Sequence, residues 1–254
     1  MNVTPVILTY NEEINIRPTL ESLGWASRIV VVDSGSSDRT GEIARSFANV
    51  AWFVRKFDSH AAQWSYAVQS TSIDTRYILA LDADMRPGPG FQAELARFTE
   101  QTGHAALVPF EYRIHGRTLL GSIYPAQVRV FAKEDIRIEQ RGHTQVFNPI
   151  VPLYRFRCKL IHEDRKPVSR WLANQIKYAT LEAERIRNAP VKGFRDRLRR
   201  SGISPAVWGT YAYLRAGGPF KGGASRAYAQ ERMVFEALLA RLLAGPEPAA
   251  RLPL

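Results

Sequence analysis

Four short runs of β-branched and apolar residues, Val3–Thr9, Arg28–Val32, Ala51–Arg55 and Tyr77–Leu81, follow one another within the first 82 residues, with a helix-like segment between each pair. Ile16, Leu20 and Leu23 put one apolar face on Glu12–Leu23. Ile43 and Phe47 mark a second helix that Ser37 or Asp38 can cap, and Ala61–Ser70 reads as a third. The second run is apolar almost throughout, as a strand covered on both faces must be. Strand and helix alternating through short turns argue for right-handed βαβ units. The expected fold is therefore α/β: a mostly parallel sheet flanked by helices, doubly wound at its front.

After residue 105 the pattern loosens into short strands at Ala105–Pro109, Glu111–Ile114 and Val128–Phe131, and from Val168 it turns helical. Trp171–Arg187 is rich in helix formers, and Ala224–Ala244 gathers Tyr228, Phe235, Leu238, Leu239, Leu242 and Leu243 on one side. Between them lies the basic stretch Lys192–Arg200, and the tail from Gly245 is expected to fray. Charge is also unevenly placed. The chain carries a formal +11, but residues 1–112 sum to −4 and residues 113–254 to +15. The onset of the helical pattern predicts a front α/β unit at 1–166 and a basic helical extension at 167–254, and the basic half suits a polyanion such as nucleic acid, an anionic membrane leaflet or a phosphorylated substrate. Nucleic acid is not the expected partner, because the basic residues do not interleave with a reading module and the front half is acidic.

Hydrophobic residues at 45% support a real core, and a lone cysteine, Cys158, excludes a disulfide scaffold or a thiolate zinc cluster. No export-type start is visible. The apolar stretch Val234–Ala244 is too short to span a bilayer and contains Arg241, so a cytoplasmic setting is expected.

The sharpest chemical feature is Leu81-Asp82-Ala83-Asp84, directly after the fourth run. Strand C-termini of a parallel sheet open into the ligand crevice, and two carboxylates one residue apart there can share a hard divalent cation. Spacing alone leaves a turn with a capping Asp equally open. Thr9-Tyr10-Asn11-Glu12-Glu13 and Asp33-Ser34-Gly35-Ser36-Ser37-Asp38 end the first and second runs at the same edge. Each alone reads as a turn and a helix cap. Together they offer an aromatic face, amides and carboxylates to a base and a ribose. Neither a dinucleotide-binding glycine fingerprint nor a P-loop occurs.

These three motifs, in this order and at these distances, resemble the family 2 glycosyltransferases, and most of all the bacterial branch that builds lipopolysaccharide cores and other surface polysaccharides. The resemblance is strong over residues 1–90. It continues weakly through Ile161-His162-Glu163-Asp164-Arg165-Lys166-Pro167 and the helices of Trp208–Leu243. It implies a nucleotide-binding domain of the GT-A type and an inverting transfer from a nucleotide-diphosphate sugar to a lipid-linked saccharide acceptor. A phosphorylated polyprenol acceptor and a sugar-phosphate nucleotidyltransferase are the alternatives. The nucleotidyltransferase would need a glycine-rich loop with an early Arg where this chain has Tyr10-Asn11-Glu12.

Carried over by position, the resemblance assigns Thr9, Tyr10, Glu12 and Asp33 to the donor's base and ribose, with Asn11, Ser34 and Gly35 beside them. Family members often have a second Asp where this chain has Ser34. Gln63 falls after the third strand, where relatives place a donor-contacting loop. Asp82 and Asp84 match the Asp-x-Asp motif that holds Mn2+ or Mg2+ on the donor diphosphate, and His162 resembles the late histidine that completes the metal shell. The base is left open. Relatives carry His-Glu after a glycine, whereas this chain reads Gly142-His143-Thr144, so His143, Glu163 or Asp164 must stand in. An ionised lipid phosphate would need no base.

Overall fold

The computed structural model describes residues 1–101, 104–141, 144–188 and 193–245. His143, Lys192 and the tail beyond Gly245 lie outside the described residues. Two compact units divide the chain. One comprises residues 1–118 with 124–166, the other residues 119–123 with 167–254.

In the first unit, β1 (Val3–Thr9), α1 (Ile16–Glu21), β2 (Ile29–Asp33), α2 (Thr40–Arg45), β3 (Val50–Val54), α3 (His60–Gln69) and β4 (Tyr77–Asp82) realise the expected alternation. The first helix starts at Ile16 rather than Glu12; Glu12 and Glu13 belong to the loop before it, where their backbone N–H groups donate to Thr40 Oγ1 and Asp38 of the neighbouring loop. There follow β5 (Met85–Pro87), α4 (Phe91–Glu100), β6 (Ala105–Val108), β7 (Phe110–Ile114), β8 (Arg117–Thr118), β9 (Gln127–Ala132), β10 (Ile136–Arg141), β11 (Thr144–Pro149), β12 (Leu153–Arg155) and β13 (Leu160–His162).

The main sheet has the order β12-β6-β9-β4-β1-β2-β3. β1, β2, β3 and β4 run parallel, and β9 is antiparallel to both β4 and β6. Alternate residues of the central strands feed two cores. Val3, Ile7, Val31, Leu79 and Leu81 pack with Phe91, Leu95 and Phe98 of α4, while Val6, Val30, Val32, Ile78 and Ala80 pack with Trp64 and Ala67 of α3. A fully buried Val, Leu or Ile contributes about 1.5–3 kcal/mol relative to exposure, so this double-faced burial dominates the unit's stability.

The register fixes the crevice. Thr9 pairs with Asp33, and Leu8 with Asp82, so the polar ends of β1, β2 and β4 stand side by side. A separate small sheet, β5-β13-β7-β8, carries the chain onward from Asp84. There His162 lies opposite Met85 and Tyr112, and Glu163 N–H donates to the Asp84 carbonyl at 3.1 Å, which joins the late histidine to the Asp-x-Asp turn.

Gly88 holds that junction closed. Its N–H donates to the Lys159 carbonyl at 3.0 Å, and a Cβ at Gly88 would stand 2.7 Å from the same oxygen. Gly88→Ala is expected to cost about 1–3 kcal/mol by forcing β5 from β13, read as a lowered midpoint in urea. An unchanged midpoint would show that the junction tolerates the shift.

The second unit contains α5 (Val168–Arg187), α6 (Gly193–Arg200), α7 (Ser204–Ala216) and α8 (Gly223–Ala244). Ala179, Ala183 and Ile186 of α5 pack against Phe235 and Leu239 of α8. The basic stretch does not present a uniformly charged face. Leu198 and Arg199 are buried, and Arg199 pairs with Glu182 at 2.5 Å and with Glu236 at 3.1 Å, while Arg232 also bonds Glu236. Among the described residues no helix is long and apolar enough to cross a membrane.

Candidate active site

Two loops are stitched together before any ligand is considered. Asn11 adopts φ +53°, a left-handed conformation that asparagine tolerates better than most residues. Its N–H donates to Ser36 Oγ at 2.6 Å and its Oδ1 accepts from Ser37 N–H at 2.8 Å. The Asp33 carboxylate accepts from the N–H groups of Gly35 and Ser36 at 2.9 and 2.7 Å and from the Ser36 hydroxyl. Gly35 sits at φ +94°, which favours glycine over any residue with a Cβ. Asn11, Asp33 and Gly35 thus shape the rim of the crevice.

Gln63 is wholly buried. Its amide donates to Ser34 Oγ at 3.2 Å and to the Arg55 carbonyl at 3.1 Å, and accepts from the Arg55 guanidinium at 2.6 Å, which makes it a brace under the β2 and β3 ends. Tyr10 is 55% exposed, whereas the Thr9 hydroxyl is buried and has no hydrogen-bond partner.

Around the Asp-x-Asp turn the charges converge. Asp82 accepts from Arg129 of β9 at 3.2 Å, and the guanidinium is itself buried. Burial pushes the Asp82 carboxyl upward, but the charges of Arg129, His162 and His60 together with the Arg129 hydrogen bond outweigh it, and the group is held below the usual carboxylate range. Asp84 Oδ2 lies 3.5 Å from His162 Nε2, and Asp84 Oδ1 is buried with no partner. The His162 ring lies tilted against Tyr112 with centroids 4.6 Å apart, and Tyr112 stacks in turn on Tyr124.

Lys166, a residue the motifs did not single out, stands among the carboxylates of Glu12, Asp84 and Asp164. Its Nζ is nearly buried, 2.6 Å from Glu12 Oε1 and 3.3 Å from Asp164 Oδ2. Burial works to lower its ammonium, but the carboxylates of Asp84, Glu12 and Asp164 overturn this and hold it well above the usual lysine value. Burial raises the Glu12 carboxyl; Lys166 opposes that shift and Asp84 adds to it.

Asn15, also missed, ties these groups together. Its amide donates to Glu12 Oε2 at 2.8 Å and Asp164 Oδ1 at 3.0 Å, and its Oδ1 accepts from Arg165 N–H. Glu163 is buried and clamped by Arg86 and Arg165 at 2.7 and 2.9 Å, which hold its carboxyl below the usual range against the opposing pull of burial. A carboxylate so engaged is poorly placed to take up a proton.

Among the described residues the ion pairs of Glu12, Asp82, Asp84 and Asp164 bring in Lys166 and Arg129, with His162 beside Asp84, so the carboxylates outnumber the permanent cations. A divalent cation fits that deficit, and the unpartnered Asp84 oxygen beside His162 is a place to receive it. Among the described residues no three His, Cys, Asp or Glu side chains close around one point. Asp84 and His162 therefore offer part of a coordination shell, which a diphosphate and water could complete.

Comparison with known proteins gives a consistent picture. The family model described as Glycosyl transferase family 2 matches residues 4–163. The lipopolysaccharide core biosynthesis glycosyltransferase LpsC of Rhizobium meliloti (strain 1021) is 26% identical over 234 residues, spanning 83% of this chain and 80% of its own. The crystal structure of S. aureus TarS 1–349 in complex with UDP-GlcNAc is similar over 95% of this chain and 91% of that one, with a TM-score of 0.51 and 15% identity.

Proposed function

The chain belongs to glycosyl transferase family 2 and is a glycosyltransferase, and from that premise we propose a metal-dependent, inverting transfer of a sugar from a nucleotide-diphosphate donor to an anionic, lipid-linked saccharide of the lipopolysaccharide type. The observation that carries this reading is the turn at the end of β4, where Asp84 Oδ1 is buried without a partner and Oδ2 faces His162.

Asp84 and His162 would hold Mn2+ or Mg2+, with Asp82 kept ionised beside them by Arg129. Such an ion, when bound, supplies Lewis-acid stabilisation of a leaving diphosphate. Tyr10, exposed at the rim, offers a stacking face to the base, and Thr9, its hydroxyl buried, stands behind it at the end of β1 beside Asp33. Asn11, Asp33, Ser34 and Gly35 hold the rim in shape, with Gln63 beneath them. Lys166 keeps Glu12 and Asp164 in position and adds positive charge to the diphosphate side.

In the transfer, the bond from the anomeric carbon to the diphosphate oxygen breaks as an acceptor oxygen bonds that carbon from the opposite face, inverting it. The acceptor's proton goes to Asp164 or His143, and an acceptor that is already an ionised phosphate has none to give. The relative LpsC is named for lipopolysaccharide core synthesis. A cytoplasmic enzyme working on the inner leaflet fits that acceptor and the +15 of residues 113–254.

A panel of nucleotide sugars with Mn2+ tests the reading by thermal stabilisation, and UDP-sugars head it because TarS was crystallised with one. A donor at a hundred times its Kd adds about 2.7 kcal/mol, which for a chain of this size raises Tm by roughly 5–10 °C. One donor should shift Tm in this way, and only with the metal present. If no nucleotide sugar moves Tm under either condition, the donor assignment falls.

A further inference from the structure

α7 is built inside out for a helix that faces water. Its fully buried positions are Ser204, Gly209, Ala212 and Ala216, small residues that let it lie close against α8, with the Trp208 ring under Arg232 of that helix. Its outward side carries the large apolar groups. Ile203, Val207, Tyr211 and Leu214 recur at helical spacing in one stripe and are 57%, 41%, 46% and 64% exposed. Ala206 and Thr210, also exposed, fill the stripe without a charge.

The stripe continues past the end of the helix. Leu120, whose N–H donates to the Ala216 carbonyl, is 64% exposed, and Phe220 on the turn Gly218–Lys221 is 88% exposed. A helix apolar on every side is ordinarily covered.

Charge identifies the cover. Residues 193–245 hold nine Lys or Arg against three Asp or Glu. Of the three acids, Glu236 is buried between Arg199 and Arg232, and Asp196 faces Arg185. Arg200, Arg215 and Arg226 are exposed. An apolar stripe in a basic, acid-poor surface matches an anionic lipid leaflet, with the side chains of the stripe among the acyl chains and the cations at the headgroups.

We propose that the outer face of α7, extended by Leu120 and Phe220, is the surface by which this chain docks on anionic membrane. The proposal rests on the lipid-linked acceptor read above and names the surface that would bring the enzyme to it.

The test is co-sedimentation of the full chain with phosphatidylcholine vesicles and with vesicles containing about one-third phosphatidylglycerol. The chain should partition strongly onto the anionic vesicles and weakly onto the neutral ones. The double variant Val207→Gln with Leu214→Gln removes apolar surface without altering charge. It should lower partition about tenfold or more, with Tm and donor-induced stabilisation unchanged, because both side chains are exposed. Failure to bind anionic vesicles, or equal binding by the variant, overturns the proposal. So does a wild-type dimer that the variant converts to monomer, since the face would then belong to a second copy. Donor-induced stabilisation is read on the same samples, so loss of the donor reading and loss of the docking face give separate results.

Discussion

Asp84→Asn lowers kcat/KM for sugar transfer by at least about a thousandfold while changing folding stability by less than about 1 kcal/mol. The first number follows from what the carboxylate would do. Charge developing on a leaving diphosphate is stabilised in a dry, prearranged site, where loss of one such group commonly costs a hundred- to a thousandfold, and a divalent ion multiplies the effect of the ligand that holds it. The second number follows from what the carboxylate does without a ligand. Asp84 Oδ1 receives no hydrogen bond and Oδ2 is 3.5 Å from His162, while the attraction of its charge for Lys166 is opposed by its repulsion of Glu12, so the substitution removes little net stabilisation. Turnover, Mn2+-induced stabilisation and thermal unfolding are measured together. Asp84→Asn should lose the first two and keep the third. Activity within tenfold of the parent chain would remove the metal from the reading.

The motifs at the ends of β1, β2 and β4 were legible because each is local, and because parallel register does the rest. Once Leu8 pairs with Asp82 and Thr9 with Asp33, three polar clusters distant in sequence must share one edge. The contact between His162 and Asp84 was less accessible from sequence. It depends on β5 and β13, strands of three residues each with no periodicity to read, and on the Glu163 N–H bond to the Asp84 carbonyl. Arg129 left a trace, a lone cation inside the apolar run Val128–Phe131, where a buried charge must have a partner. Asn15 left none, since a single amide near a helix start has an ordinary capping role. The basic stretch was readable as charge but not as geometry: counting arginines does not reveal that Arg199 lies buried between Glu182 and Glu236.

Lys166 carries the other large effect, and it is one of stability. Lys166→Met keeps the length and apolar stem of the side chain and removes only the ammonium, which leaves Glu12 and Asp164 facing each other and Asp84 without their counter-charge. Removing one partner of a buried pair strands the other charge, so the expected loss at pH 8 is about 3–5 kcal/mol. The pH dependence gives the cause. Burial already raises the folded-state pKa of Glu12, and without Lys166 to oppose it that pKa rises further. A carboxyl whose folded pKa lies above its unfolded value binds protons more tightly when folded, so its contribution to stability falls as pH rises through that interval. The deficit of Lys166→Met should therefore shrink as pH is lowered from 8 towards the carboxyl range, as Glu12 takes up the proton that replaces the missing ammonium. Urea midpoints of the parent chain and the variant across that interval measure the difference. A deficit that stays constant or grows on acidification would mean that Lys166 stabilises the chain by packing alone, and that the site does not depend on its charge.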